Sequence, residues 1–188
     1  NYTPTLNTPS DITICDSYSL NSITGTNLSG NENYYDNSQV NGGAIITGPI
    51  TNSQTVWIYD AVGACSDETS FNVTINLTPS INNPGNQSVC DSYTLPSITG
   101  NNLSGSENFY DDTQANGGQI LTGPLTSSQT IWIYDNNGTC SDEENYTVTI
   151  NYTPNLNNPG NQVVCDTYSL PVISGTNLSG SENYYDNS

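Results

Sequence analysis

Residues Thr55–Asn76 read TVWIYDAVGACSDETSFNVTIN, and this stretch decides the fold. In its second part Phe71, Val73 and Ile75 alternate with Asn72 and Thr74, which sets three apolar side chains on one face of a strand running from Asp67 to Asn76. In its first part Thr55 to Asp60 reads as a strand with Val56 and Ile58 on one face and Trp57 and Tyr59 on the other. A turn around Gly63 joins the two, so the segment is a β-hairpin.

The hairpin recurs. Sliding the sequence by 75 positions lays Trp57-Ile58-Tyr59-Asp60 on Trp132-Ile133-Tyr134-Asp135, and Cys65-Ser66-Asp67-Glu68 on Cys140-Ser141-Asp142-Glu143. Further out, Cys15, Tyr18, Leu20, Ile23 and Gly25 fall on Cys90, Tyr93, Leu95, Ile98 and Gly100, then on Cys165, Tyr168, Leu170, Ile173 and Gly175. Roughly three-fifths of aligned positions are identical, with no insertion or deletion. The domain reading is therefore residues 1–75 and 76–150 as two full copies, and 151–188 as the first half of a third, cut through a longer array. Other strand candidates within a copy are Ile12 to Leu20, Glu32 to Asp36 and Ala44 to Thr47. Turns are marked by Asn41-Gly42-Gly43 and Gly48-Pro49, and Pro79 breaks the chain between copies. Six or seven short strands in about 75 residues predict an all-β chain of tandem immunoglobulin-like β-sandwiches.

Composition narrows the function. The 188 residues include 18 acidic side chains and no Lys, Arg or His, for a net charge of −18. Phosphate backbones and anionic bilayers are bound through Lys and Arg, so nucleic acid and direct membrane insertion are excluded as partners. Without His there is no general base near neutral pH and no Ser-His or Cys-His pair, and the chain is read as no enzyme. The hydrophobic fraction is 32%, but 13 Tyr residues separate the chain from a disordered acidic tail, so it should fold.

A sandwich this small needs a staple. Cys15 with Cys65, and Cys90 with Cys140, share one spacing and predict one disulfide per repeat, each worth about 4 kcal/mol by loop entropy. Cys165 is then odd only because its partner lies beyond the cut. The competing pairing, Cys65 with Cys90 across the linker, stays open. Paired Cys in an acidic, Thr-rich chain points to an oxidising, extracellular setting.

The segment Cys90-Asp91-Ser92-Tyr93-Thr94-Leu95-Pro96, the following Gly100-Asn101-Asn102-Leu103-Ser104-Gly105 and the Trp132 to Glu143 hairpin resemble tandem repeats of giant cell-surface adhesins of Bacteroidota, flavobacteria in particular. The hairpin is also similar to the HYR branch of immunoglobulin-like modules. The resemblance implies type IX export, display on the outer cell surface, and a place in adhesion, gliding or filament formation.

Two sets of side chains are candidate sites. Asp60, Asp67 and Glu68, with Asp135, Asp142 and Glu143, offer the all-oxygen ligands that calcium takes, against the plainer reading of a solvated acidic surface. No cofactor is required on either reading. Trp57, Tyr59, Trp132 and Tyr134 lie on the outer face if Val56 and Ile58 point inward, as the HYR-like register implies; there they would contact a neighbouring chain or a surface glycan, unless the repeat itself covers them. The sequence reading is thus a structural segment, the stalk or filament body of an extracellular bacterial surface adhesin. Its partners are further copies of the repeat in the same chain and neighbouring chains in a fibre. The alternative is an array of glycan-binding modules dependent on calcium.

Overall fold

The computed structural model describes residues 2–186. The chain is all-β, with its sheets in a sandwich-like arrangement; two single 3-10 turns, Gln39–Asn41 and Gln114–Asn116, are the only helical elements among the described residues. In the first copy the strands are β1 (Thr5–Leu6), β2 (Ile12–Cys15), β3 (Gly25–Thr26), β4 (Asn33–Tyr35), β5 (Gln54–Val62) and β6 (Cys65–Asn76). One sheet has the order β2-β6-β5-β4, and β1 pairs with β3 in a separate ladder.

The hairpin read from the sequence is the centre of this unit. β5 and β6 run antiparallel with Val56 opposite Phe71 and Gln54 opposite Val73. β4 adds antiparallel to β5, setting Tyr34 opposite Ile58. β2 adds parallel to the far half of β6, Ile12 opposite Val73 and Cys15 opposite Asn76. Alternation then puts Val56, Ile58, Phe71 and Val73 on one face, each at most 2% exposed, where Leu6, Tyr18, Tyr34 and Ile50 close over them. Tyr18 and Tyr34 both meet the Phe71 ring edge-on, at 6.2 and 6.3 Å between centroids. Burying each large apolar side chain contributes about 1.5–3 kcal/mol, so these few residues carry most of a small core.

The same elements return 75 residues on: β7 (Ser80–Ile81), β8 (Gln87–Cys90), β9 (Gly100–Asn101), β10 (Asn108–Tyr110), β11 (Gln129–Asn136) and β12 (Ser141–Asn151), with sheet order β10-β11-β12-β8. Of the third copy only β13 (Asn155–Leu156) and β14 (Gly175–Thr176) are strands. By backbone contacts the chain divides into two compact units, residues 1–82 with 98–108 and 133–144, and residues 83–97 with 109–132 and 145–188. These units do not follow the 75-residue boundaries.

Local differences from the sequence reading have local causes. The strand expected over Ile12 to Leu20 stops at Cys15, because Asp16 takes a left-handed φ of 61°; Tyr18 beyond it makes a single bridge to Ile50. Ala44 to Thr47 forms no strand, and Ile45 alone bridges Tyr35. β1 and β3 were invisible to periodicity because two residues cannot alternate. A glycine marks them instead. A Cβ on Gly25 would strike the carbonyl oxygen of Thr5, and Gly100 and Gly175 stand in the same way against Ser80 and Asn155. Gly100→Ala should therefore pry β7 from β9 and cost about 1–3 kcal/mol, read as a lower urea midpoint, whereas Gly105→Ala adds a Cβ that meets nothing and strains only its φ of 82°.

Candidate functional site at the joint between copies

Cys15 is bonded to Cys140, with Cα atoms 5.8 Å apart and 125 residues between them in sequence. Neither expected pairing, Cys15 with Cys65 or Cys90 with Cys140, is present; Cys65, Cys90 and Cys165 are free thiols. The reason lies in the parallel pairing of β2 on β6. Cys15 sits opposite Asn76, the last residue of β6, while Cys65 is its first. Twelve residues of extended strand span roughly 35–40 Å, and a disulfide tolerates about 7 Å between Cα atoms. Cys90 is likewise opposite Asn151 at the end of β12, whereas Cys140 immediately precedes the start of that strand. The competing Cys65–Cys90 pairing is also not made.

The bond is one part of a built joint. The Asn76 side-chain amide donates to the Thr139 hydroxyl at 2.9 Å, and that of Asn137 donates to the Leu77 carbonyl at 2.8 Å. Thr78 is tied on both sides. Its N–H and hydroxyl donate to the Asp16 carboxylate at 2.9 and 2.7 Å, and its carbonyl accepts from Asn102 at 3.3 Å. The backbone and side-chain bonds from Thr78 hold the Asp16 carboxyl below its ordinary value. The pattern recurs with Thr153, which donates to Asp91 at 2.8 and 2.6 Å and accepts from Asn177 at 3.3 Å; here too the donors, the hydroxyl first, lower the Asp91 carboxyl. Asp16 and Asp91 share a φ of 61°, and Asn102 and Asn177 are also left-handed, a conformation that Asn and Asp tolerate best after Gly. The sequence reading missed Asp16, Thr78, Asn102, Asn137 and Thr139. Cys-Asp and Thr-Pro recurring at the 75-residue period were the available signal.

The carboxylates offered for calcium are dispersed as acceptors for the chain's own N–H groups. Asp60, 1% exposed, accepts the Ser29 N–H at 2.9 Å, the Ala61 N–H at 2.8 Å and the Ser29 hydroxyl. Burial pushes its carboxyl up, but those donors together outweigh burial and leave it below the ordinary carboxylate value. Asp135 repeats the arrangement with Ser104. Asp67 holds β1 down through the Leu6 N–H at 2.7 Å, and Asp142 does the same for Ile81 at 2.7 Å. Glu68 accepts the Gln39 N–H at 2.6 Å. Glu143 has a partner of its own. No group of three or more Cys, Asp or Glu gathers to hold a metal ion among the described residues.

Trp57 and Tyr59 stand on the face opposite Val56 and Ile58, and Trp132 and Tyr134 occupy the same register; all four are half-buried. Tyr35 packs edge-on against Tyr59 at 6.3 Å, so the repeat covers part of this face itself.

No protein-family model and no curated protein matches the sequence. Among solved structures the chain is similar to the titin I-band fragment I67–I69 (12% identity, TM-score 0.45, 82% of this chain and 68% of that one). It is also similar to the insect immune protein hemolin (12%, 0.48, 79% and 47%) and to immunoglobulin domains 1–4 of Sidekick-1 (11%, 0.46, 78% and 48%). The chain spans about half the length of the latter two.

Proposed function

We propose that this chain is a load-bearing segment of an extracellular array, the stalk or filament body of a bacterial surface adhesin, in which successive copies are clipped together rather than stapled one by one. The observation that supports it most is the Cys15–Cys140 bond, which leaves the end of β2 in the first copy and arrives at the hairpin turn of the second. A bond placed there adds nothing to a binding cleft and bears on tension along the chain. The Asp16–Thr78–Asn102 relay beside it fixes the linker by the same logic. An oxidising compartment suits such a clip, and a chain without Lys or Arg offers trypsin-like proteases no cleavage site. Export by the type IX route and display on the outer surface of a Bacteroidota cell belong to the same reading and rest on the sequence resemblance.

Peptide mapping under non-reducing conditions, with an Asp/Glu-directed protease, should return Cys15 and Cys140 on linked peptides. A dominant Cys15–Cys65 linkage would overturn the clip. Immunogold labelling of intact cells that produce the protein should decorate threads outside the envelope; labelling only after lysis would overturn the surface assignment.

A further inference from the structure

Residues 155–185 present a half-built sandwich whose missing half is specified by the other copies. Asn183-Tyr184-Tyr185 repeats Asn33-Tyr34-Tyr35 residue for residue, yet the first-copy segment is strand β4 and the third-copy segment is not a strand. Tyr34 is 8% exposed and Tyr184 42%; Leu6 is 7% exposed and Leu156 59%. In the first copy these side chains pack on Val56, Ile58, Phe71 and Val73 of the β5–β6 hairpin. In the third copy the equivalent surface is an open cleft of about 460 Å³ lined by Leu156, Pro159, Val172, Ile173 and Tyr184. Ser179 shows the same thing chemically. Its counterparts Ser29 and Ser104 donate their hydroxyls to the Asp60 and Asp135 that follow β5 and β11 core positions, whereas Ser179 donates to Glu182 three residues along its own loop.

We infer that the cleft over residues 155–185 is an acceptor for a β-hairpin of the repeat's own sequence, and that Cys90 is the thiol that locks the hairpin in. The locking follows from the period. Cys15 at the end of β2 bonds the Cys that opens the outgoing strand of the next copy's hairpin. Cys90 occupies the same place at the end of β8, opposite Asn151 as Cys15 is opposite Asn76, and is exposed and free. A hairpin docked on the third copy brings its own Cys to Cys90. The cleft also discriminates between hairpins. The first copy pairs Tyr34 with Phe71, while the second has Phe109 and Tyr146 at those positions. Leu156 and Tyr184 match Leu6 and Tyr34, so the fitting hairpin is of the Gln54–Asn76 type with Phe at its centre. This inference rests on the array reading but is tested separately from it.

The test supplies a synthetic peptide of residues 54–76 whose Cys65 sulfur is activated as the mixed disulfide with thionitrobenzoate, added to the intact chain. The Cys90 thiolate attacks the peptide sulfur, the peptide–thionitrobenzoate S–S bond breaks, and thionitrobenzoate leaves as its coloured thiolate, so no external oxidant is consumed. Docking replaces a micromolar encounter by a millimolar effective concentration, and Cys90 should react on the order of 10²-fold faster with this peptide than with a scrambled one carrying the same Cys. The Phe71→Tyr peptide should be slower, and Tyr184→Ala in the chain, a change at a side chain already 42% exposed, should remove most of the advantage. Hydrogen exchange should show Asn183–Tyr185 newly protected by a peptide in which Cys65 is replaced by Ser. Equal rates for the native and scrambled peptides, equal labelling of Cys165, or a chain dimer through this face that the peptide does not dissolve would each overturn the proposal. Because the Cys15–Cys140 linkage is mapped in the same sample, failure here with that linkage intact leaves the array reading standing.

Discussion

Pulled by its two ends, the oxidised chain should stop extending roughly 400–450 Å short of the reduced chain. The residues between Cys15 and Cys140 lie inside a covalent loop, so tension entering at the N-terminal side crosses the sulfur bridge and bypasses them. At about 3.3–3.6 Å per extended residue the hidden length follows directly from the sequence separation of 125. Had the bonds been Cys15–Cys65 and Cys90–Cys140, each copy would hide its own shorter loop and the joint would remain extensible. Single-molecule stretching before and after reduction separates the two patterns: one long step released by reductant supports the clip, and two equal shorter steps sink it. At equilibrium the closure of so long a loop also contributes about 5 kcal/mol by the loop-entropy model, comparable with the stability of a small domain. Cys15→Ser should therefore lower the unfolding midpoint of the joint as well as lengthen the chain under load.

The hairpin that decided the fold was legible because a period of two over Phe71, Val73 and Ile75 admits few alternatives, and its core face proved to be the one occupied by Val56 and Ile58. The disulfide was not legible, and the cause lies in the repetition itself. In a perfect repeat every pairing that respects the period shows equal spacing, so the equality of Cys15–Cys65 and Cys90–Cys140 carried no information about which was real. What discriminates is strand direction: β2 runs parallel to β6 and stops at its far end, a non-local pairing that no window of sequence contains. The acidic residues misled differently. Asp60, Asp67 and Glu68 share the composition of a cation site, but each faces a different backbone N–H brought from 29 to 61 residues away, and only the folded chain shows that those donors are what the carboxylates serve. The recurring Asn-Leu-Ser-Gly, which as a sequon looked incidental, is structural: Asn27 turns the chain at φ 55° and donates to the Thr3 carbonyl at 3.3 Å, and Ser29 meets Asp60.

Asp60→Ala should be among the most damaging single substitutions, costing roughly 3 kcal/mol or more, because it leaves the Ser29 N–H, the Ser29 hydroxyl and the Ala61 N–H without their shared acceptor in a nearly closed site. Asp60→Asn should cost less. Its oxygen keeps one backbone donor, and the Ser29 hydroxyl can turn to accept from the new amide, which leaves one donor facing another. The pH dependence has a fixed sign. The folded carboxyl lies below its ordinary value of 3.8, so its contribution is fully present above that pH and is lost as pH falls through the lower folded value. Asp11, held down first by the Asn72 N–H, and Asp16 and Asp91 at the joints shift in the same direction and lose their stabilisation in the same window. With no Lys, Arg or His to titrate in compensation, the chain should be flat in stability from neutral pH down to about pH 5 and fall steeply below pH 4. Urea midpoints of the wild type and Asp60→Asn at pH 7 and pH 3 provide the check: the variant starts lower and falls less. A wild-type midpoint unchanged at pH 3, or a variant that falls as far as the wild type, would mean that the Asp60 carboxylate gives the fold nothing that a neutral amide does not.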